Sequence, residues 1–288
     1  MVILVCGHSR SGNHFTIDSL VKNFKDASFG IFRPGYAAIE NLVVPHDSGV
    51  TELFYDFIFN YNKDQEIRIC KTHLLPEEIE TALSRDDYFL NKKDRVIIDF
   101  LYNEAKVIYI QRDVKDVMVS LYYFMKLGGG YQVGLRERLA HMSIAEFIRS
   151  PNYHIYPPRG FADFDRNRIV YWAYHVQQWM KRKVCPIQYE TLSQDFESTL
   201  KKISEYCGGE EILRNDLSKP SMSDQKNSLI NRVLKKLRIK LSSKESTAVS
   251  PYKGISGSHK AHFSDEDYRF IDKNIQMVNM DVESQTIV

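Results

Sequence analysis

Three short stretches of this chain carry the residue types that chemistry uses, and each follows an apolar run. Gly7-His8-Ser9-Arg10-Ser11-Gly12-Asn13-His14 follows Met1–Cys6 (MVILVC). A glycine-bracketed loop after a strand aims backbone N–H groups and a helix N-terminus at a phosphate-like anion. The same glycines also suit an ordinary tight turn. The Gly7-to-Gly12 spacing matches the first half of a phosphate-binding P-loop, yet Gly12-Asn13-His14 stands where a nucleoside triphosphatase needs Gly-Lys-Ser/Thr. The lysine for the β- and γ-phosphates and the hydroxyl for Mg²⁺ are missing, and the cation inside the loop is Arg10. The second stretch is Lys71-Thr72-His73, directly after Glu66–Cys70 (EIRIC). A lone histidine is usually structural; one alternating with a lysine at a strand exit can also serve as a base beside a cation. The third begins at Arg112, after Ala105–Gln111 (AKVIYIQ), with Ser120 eight positions on. That serine lies two turns into a helix, on a face that can swing back over the sheet edge. Arg112 can equally pair with Asp113 or Asp116, and Ser120 can be a small packing residue.

The elements that must position these groups are legible from periodicity. Met1–Cys6 reads as a central buried strand, and Glu66–Cys70, Ala105–Gln111 and Val184–Tyr189 as three more. Helical spacing covers Phe15–Phe24, Glu77–Ser84 opened by Pro76, Asp94–Leu101, Val114–Lys126, Arg166–Lys181 and Ser193–Tyr206. Gly208-Gly209 ends the last of these, and Ser264-Asp265-Glu266-Asp267 starts a final helix over Glu266–Met277. Shorter helices are expected around Glu52–Asn60 and Ser143–Ser150, and Trp172 and Trp179 are expected in the core. Strands alternating with helices predict the α/β class: a single P-loop-like domain with a central parallel β-sheet flanked by helices on both faces. Ligands of such sheets bind beyond the carboxyl ends of the strands, which sets Lys71 and His73 at the edge that carries the Gly7–His14 loop.

Composition narrows the classes. The chain has 288 residues, 43% hydrophobic and 26% charged, with a net charge of +2. That balance suits a soluble globular protein and gives no whole-protein case for a nucleic-acid or membrane partner. No apolar run reaches the ~20 residues of a membrane span, and the N-terminus is already a strand with no basic leader, so a cytoplasmic location is expected. Cys6, Cys70, Cys185 and Cys207 are far apart, in no metal-ligating cluster, and read as buried and reduced. The aromatic-rich segments 29–62 and 128–164 suit the walls and cover of a pocket. Segment 218–257, with Lys226, Arg232, Lys235, Lys236, Arg238, Lys240 and Lys244, reads as a solvated basic face or a lid over an anion.

Taken together and in order, these motifs resemble the sulfotransferases that use 3′-phosphoadenosine-5′-phosphosulfate (PAPS). Ser9–Phe15 is similar to their Pro-Lys-Ser-Gly-Thr-Thr-Trp loop, Lys71-Thr72-His73-Leu74 to their Lys-Thr-His-Leu, and Tyr109–Phe124 to their 3′-phosphate segment, Arg-to-Ser spacing included. Tyr189-Glu190 stands where the family has Tyr-Glu-Asp. Lys253-Gly254-Ile255-Ser256-Gly257, with Lys260, His262 and Phe263, resembles the family's C-terminal motif. The likeness runs from residue 2 to about residue 275.

The resemblance implies roles for particular positions. Arg10, Ser11, Gly12, Asn13 and His14 would hold the 5′-phosphosulfate. Lys71 would meet the bridging or sulfuryl oxygens, and His73 would be the catalytic base, so that Arg10, Lys71 and His73 form the catalytic set. Arg112 and Ser120 would bind the 3′-phosphate, with Tyr252, Lys253 and Gly254 beside them. Phe15, Tyr189, Ser221 and Met222 would line the adenine site. Histidine titrates where a hydroxyl acceptor needs its base, an arginine fork with a hydroxyl suits a phosphate dianion, and no metal is required. The implied product is 3′-phosphoadenosine-5′-phosphate (PAP), and the implied partner is a small molecule bearing a hydroxyl or an amine. Arg10 replaces the family's loop lysine, Asn13-His14 its two threonines, and Tyr252 an arginine. The family's dimerisation motif, which would begin at Lys260, is unmatched, so the oligomeric state is open. The chain also lacks the N-terminal extension of animal cytosolic members, which favours a bacterial-type small-molecule enzyme. Two alternatives stay open: a P-loop nucleotide or small-molecule kinase, and a non-catalytic PAP-binding module.

Overall fold

Five apolar residues in succession leave a strand no polar face, so Val2–Cys6 must be covered on both sides. In the computed structural model this strand, β1, is buried along its whole length and is the middle of a five-stranded sheet. The structure describes residues 1–30, 38–42, 48–63, 65–84, 90–126, 139, 141–152, 164–221, 254 and 256–285. β1 is followed by α1 (Asn13–Asn23), β2 (Ala27–Phe29), a 3₁₀ turn at Ile39–Asn41 and α2 (Ser48–Phe59). Next come β3 (Ile67–Thr72), α3 (Pro76–Ser84), α4 (Lys92–Asn103), β4 (Lys106–Gln111) and α5 (Val114–Lys126). The second half holds α6 (Ile144–Arg149), the short strands β5 (Pro151–Asn152) and β6 (Phe164–Asn167), and α7 (Arg168–Met180). Then follow β7 (Cys185–Gln188), α8 (Tyr189–Gln194), α9 (Phe196–Cys207), two 3₁₀ turns and α10 (Asp265–Gln285).

The strand order is β2-β3-β1-β4-β7, with β1 parallel to β3 and β4, and β2 parallel to β3. Numbering runs one way from β1 and then the other, which is the doubly wound pattern with its switch beside β1. The chain divides into two compact units. The first, Met1–Gly7, Gly12–Ile110 and Lys183–Glu245, contains the sheet. Its core sets Ile3 and Val5 against Ile17, Leu20 and Phe24 of the α1 segment, Ile108 and Ile110 of β4, and Leu200 and Ile203 of α9. The alternate residues Leu4 and Cys6 are equally buried, so both faces of the sheet are covered. The second unit is His8–Ser11, Gln111–Arg182 and Ser246–Val288. It packs Val117 and Leu121 of α5 with Phe147 of α6, Ile169 and Trp172 of α7, and Ile271 of α10. Trp179 is fully buried and Trp172 nearly so, in agreement with their expected core positions. No helix among the described residues is long and apolar enough to cross a membrane.

Several boundaries differ from the sequence reading. β3 does not stop at Cys70: Val5 pairs with Lys71 and Cys6 with Thr72, so the ladder with β1 carries the strand two residues further. β2 has three half-buried residues and too little apolar signal to be seen alone. Tyr189 opens a helix rather than closing a strand, and the single helix expected over Ser193–Tyr206 is two, broken at Asp195 with φ −109° and ψ 67°. α4 begins at Lys92 because Asn91 and Asp94 form a reciprocal capping box ahead of it. Most of the 128–164 cover and most of the 218–257 basic segment lie outside the described residues, as do Met222, Tyr252 and Lys253.

Candidate functional site

In the sheet unit, chemistry-bearing residues gather where β1 and β3 end. Gly7 leaves β1 at a point where a side chain has no room: a Cβ would lie 2.5 Å from the Ile110 carbonyl oxygen and 2.5 Å from Asn13 Oδ1. Asn13, the first residue of α1, donates from Nδ2 to the Gly7 carbonyl at 3.1 Å. His73, one residue beyond β3, places Nδ1 2.7 Å from the same carbonyl and 2.8 Å from Asn13 Nδ2. A carbonyl oxygen only accepts, and its two lone pairs can take both donors. The carbonyl contact calls for a proton on Nδ1 of His73, whereas the Asn13 amide nitrogen, itself a donor, calls for a lone pair there, so the two contacts favour opposite tautomers.

The pleat sets Lys71 and His73 on one side of β3 and the buried Thr72 on the other. Glu40, in the 3₁₀ turn, accepts from the His73 backbone N–H and from Thr72 Oγ1 at 3.3 Å. The turn is held there by an isolated parallel bridge between Ala38 and Lys71. Burial pushes the Lys71 ammonium below its ordinary value, and Glu40 pushes it back up. Burial raises the Glu40 carboxyl, opposed by the Lys71 charge and by the hydrogen bonds it accepts. Each charge thus offsets part of the shift that burial gives the other. Glu78 of α3 is buried as well, accepts from Leu75 N at 2.6 Å, and is pushed up to about 7 by burial.

Tyr189 completes this unit's set. Its ring lies against Gly12, where a Cβ would sit 2.4 Å from the ring and where φ is +109°, in the left-handed region. Both facts demand glycine. Phe15 meets Tyr189 edge to face at 5.7 Å. The two rings can flank a flat heterocycle.

The helical unit carries the loop residues His8–Ser11 together with α5. Arg10 has φ 73°, rare for a residue with a side chain, and the turn is closed by Ser11 N donating to His8 O at 3.0 Å. Arg10 Nε donates to Ser120 Oγ at 3.1 Å, and its guanidinium lies 4.6 Å from the centre of the Phe124 ring. Arg112 is nearly fully buried and reaches towards the Arg10 carbonyl at 3.5 Å. Burial, and secondly the neighbouring Arg112 charge, lower Arg10 to about 10. Two guanidiniums and a hydroxyl grouped in this way are the residue types that bind anions. Ser11 adds a buried Oγ with no hydrogen-bond partner. Asp116, which could have neutralised Arg112, instead accepts from Gly257 N at 2.7 Å, Ser258 Oγ at 2.9 Å and His259 N at 3.1 Å. Asp113 caps Lys115 N at 2.8 Å.

The structure thus groups Arg10 with Arg112 and Ser120, Asn13 with Gly7 and His73, Lys71 with Glu40, and Gly12 and Phe15 with Tyr189. His14, Ser221 and Gly254 are exposed. Glu40 and Glu78 were missed by sequence reasoning: Glu40 sits in an irregular stretch with no periodicity, and Glu78 reads as one more acid at a helix start. No pattern in the sequence pointed to either carboxylate.

A model of the sulfotransferase domain matches residues 91–283. Sulfotransferase 2B1 of Mus musculus is 27% identical over 175 residues, 57% of this chain and 45% of that protein. Sulfotransferase 2A1 of Macaca fascicularis is 29% identical over 191 residues, 62% of this chain and 57% of that protein. The chain spans about half the length of the curated relatives it matches. Mouse sulfotransferase SULT7A1 complexed with PAP superposes over 96% of this chain and 84% of that one, with a TM-score of 0.50 and 17% identity. Retinol dehydratase in complex with androsterone and PAP gives 96%, 80%, 0.52 and 16%. These two likenesses establish the fold.

Proposed function

The chain belongs to the sulfotransferase domain family, and from that premise we infer that it transfers the sulfuryl group of PAPS to a hydroxyl or amine of a small molecule. The observation that carries this reading is the grouping of Arg10 with Arg112 and Ser120: a half-buried and a buried guanidinium beside a hydroxyl suit a polyanion. The donor-site fit is supported by the buried Ser11 Oγ in the loop, which has no hydrogen-bond partner.

In this reading Arg112 and Ser120 take the 3′-phosphate and the loop residues take the 5′ end. His73 Nε2 accepts the acceptor's proton as its oxygen or nitrogen bonds to sulfur, and the bond from sulfur to the 5′-phosphate oxygen breaks. Negative charge grows on that departing oxygen, and Lys71 and Arg10 are the cations assigned to it. In this role His73 keeps its proton on Nδ1, against the Gly7 carbonyl, and its lone pair on Nε2. Phe15 and Tyr189 serve the adenine ring, with Ser221, Met222, Tyr252, Lys253 and Gly254 as further donor contacts and His14 as a donor to the sulfonate.

The test is a thermal-shift titration with PAP, run beside ATP with Mg²⁺. PAP at ~100 times its dissociation constant stabilises the native state by about 2.7 kcal/mol. Stabilisation by PAP without metal supports the reading. Stabilisation only by ATP with Mg²⁺ would overturn it in favour of a kinase.

A further inference from the structure

A half-buried lysine at a strand exit needs a reason to stay charged, and a histidine one residue past the strand needs its backbone fixed. One carboxylate addresses both. Glu40 accepts the His73 N–H and the Thr72 hydroxyl, and its Oε2 is shut off from solvent with no hydrogen-bond partner. It is carried by a turn that the Ala38–Lys71 bridge locks to β3. We propose that Glu40 is a positioning residue of the transfer reaction, fixing the Lys71–Thr72–His73 segment through its oxygens and keeping Lys71 protonated through its charge. This rests on the function proposed above.

Among the described residues, both signs of charge face it. Lys71 favours the ionised form of Glu40, as do the hydrogen bonds from His73 N and Thr72 Oγ1. Glu78 of α3 opposes it: the two carboxylates repel, and Glu40 holds the Glu78 carboxyl up beyond what burial and the Leu75 N–H would give. Glu77, on the same turn of α3, adds to that effect on Glu78. Lys71 thus compensates one buried carboxylate while Glu78, pushed up to about 7, can take the proton that relieves the other. Charge on Lys71 matters because the oxygen that leaves sulfur gains charge as the bond breaks. A neutral lysine would leave that oxygen unmatched.

Glu40→Gln retains an oxygen for His73 N and Thr72 but removes the charge; Glu40→Asp keeps the charge on a shorter stem. The first readout needs no turnover: the protein is produced with ¹³C-labelled lysine, and the Lys71 Cε signal, assigned with Lys71→Arg, is titrated by NMR. An opposite charge at close range is worth about one pH unit or more, so Lys71 in Glu40→Gln loses its proton at least about one pH unit lower than in the wild type. Glu40→Asp restores most of the difference. The second readout is kcat against pH with PAPS and an acceptor. Its alkaline limb moves down by the same amount in Glu40→Gln and returns in Glu40→Asp, while PAP affinity changes less than about threefold.

An unchanged Lys71 titration in a folded Glu40→Gln protein would overturn the proposal. So would a Lys71 shift with an unmoved kcat profile. Failure of the wild type to bind PAP or to consume PAPS would sink the assigned function instead, and leave the Lys71 titration to report on the pair alone.

Discussion

Arginine pairs of this kind are held by the fold against their own repulsion, so the cost of assembling them is already met when an anion arrives. Arg112 is nearly inaccessible to solvent and Arg10 leans on Ser120 and the Phe124 face. Removing Arg112 therefore strips a charged hydrogen-bond donor from a desolvated place. Such contacts are worth about 1.5–3 kcal/mol, so Arg112→Ala weakens PAP binding about 10- to 100-fold by calorimetry. The loss falls on the 3′-phosphate: adenosine 5′-monophosphate, which lacks it, binds the variant and the wild type alike. Arg112→Lys recovers only part, because an ammonium cannot offer the two-pronged fork. His73→Ala behaves oppositely, with turnover abolished and PAP binding within a few-fold of wild type. Loss of PAP binding in that variant would break the division of roles between the two residues. A spacing of eight singled out Arg112 and Ser120 but left an ion pair to Asp113 or Asp116 and simple packing as equal readings of them. The local contact of Asn13 was not legible: its amide shares the Gly7 carbonyl with His73, and no pattern in a single sequence records that two residues sixty positions apart meet at one oxygen.

Elements decide where those side chains can stand. The strands with the plainest signal are β1 and β4, buried along nearly their whole length; β7 was legible as well, although it alternates between buried and exposed residues. β2 and the end of β3 were illegible for the complementary reason: their membership comes from a partner's ladder, and Lys71 and Thr72 look like loop residues until β1 pairs with them. α3 shows what local signals do convey and what they miss. Pro76 and the acids after it mark its start, but only packing shows that Glu78 is buried. Its carboxyl is pushed up to about 7 from an ordinary 4.5, chiefly by burial. In the unfolded chain the group ionises near the ordinary value, so between those limits the folded state holds the extra proton. Stability from this group is present below about pH 4.5 and is lost as pH rises through about 7. Glu78→Gln keeps an acceptor for Leu75 N and carries no charge. Urea unfolding therefore finds the variant more stable than the wild type at pH 8, by up to roughly 2–3 kcal/mol, and nearly equal at pH 5. Equal stability at both pH values would show that Glu78 is solvated.

At the scale of the molecule, a net charge of +2 spread over 288 residues generates no long-range field that could gather a polyanion. Selectivity for one must then come from local cations and from the cooperativity that couples them to the fold. The cysteines offer a way to read that coupling. All four are free and buried, and burial raises the thiols of Cys70, Cys185 and Cys207, the last to about 12. Cys6 directly precedes Gly7, and Cys70 precedes Lys71 by one residue, so these thiols report on the strand ends that bear the site. A thiol in that state reacts only when its surroundings open. An aromatic disulfide reagent accordingly labels none of the four promptly in the native protein and all of them in denaturant. Slow native labelling proceeds through opened states, and a ligand held by the closed state alone suppresses them by the factor 1 + [L]/Kd. PAP at ~100 times its dissociation constant slows labelling of Cys6 and Cys70 about 100-fold, as read by mass spectrometry of the tryptic peptides. Protection of Cys6 and Cys70 without protection of Cys185 and Cys207 would mean that the strand ends open separately from the rest of the sheet. Protection of none would mean that PAP does not engage the end of β1, whatever else it stabilises.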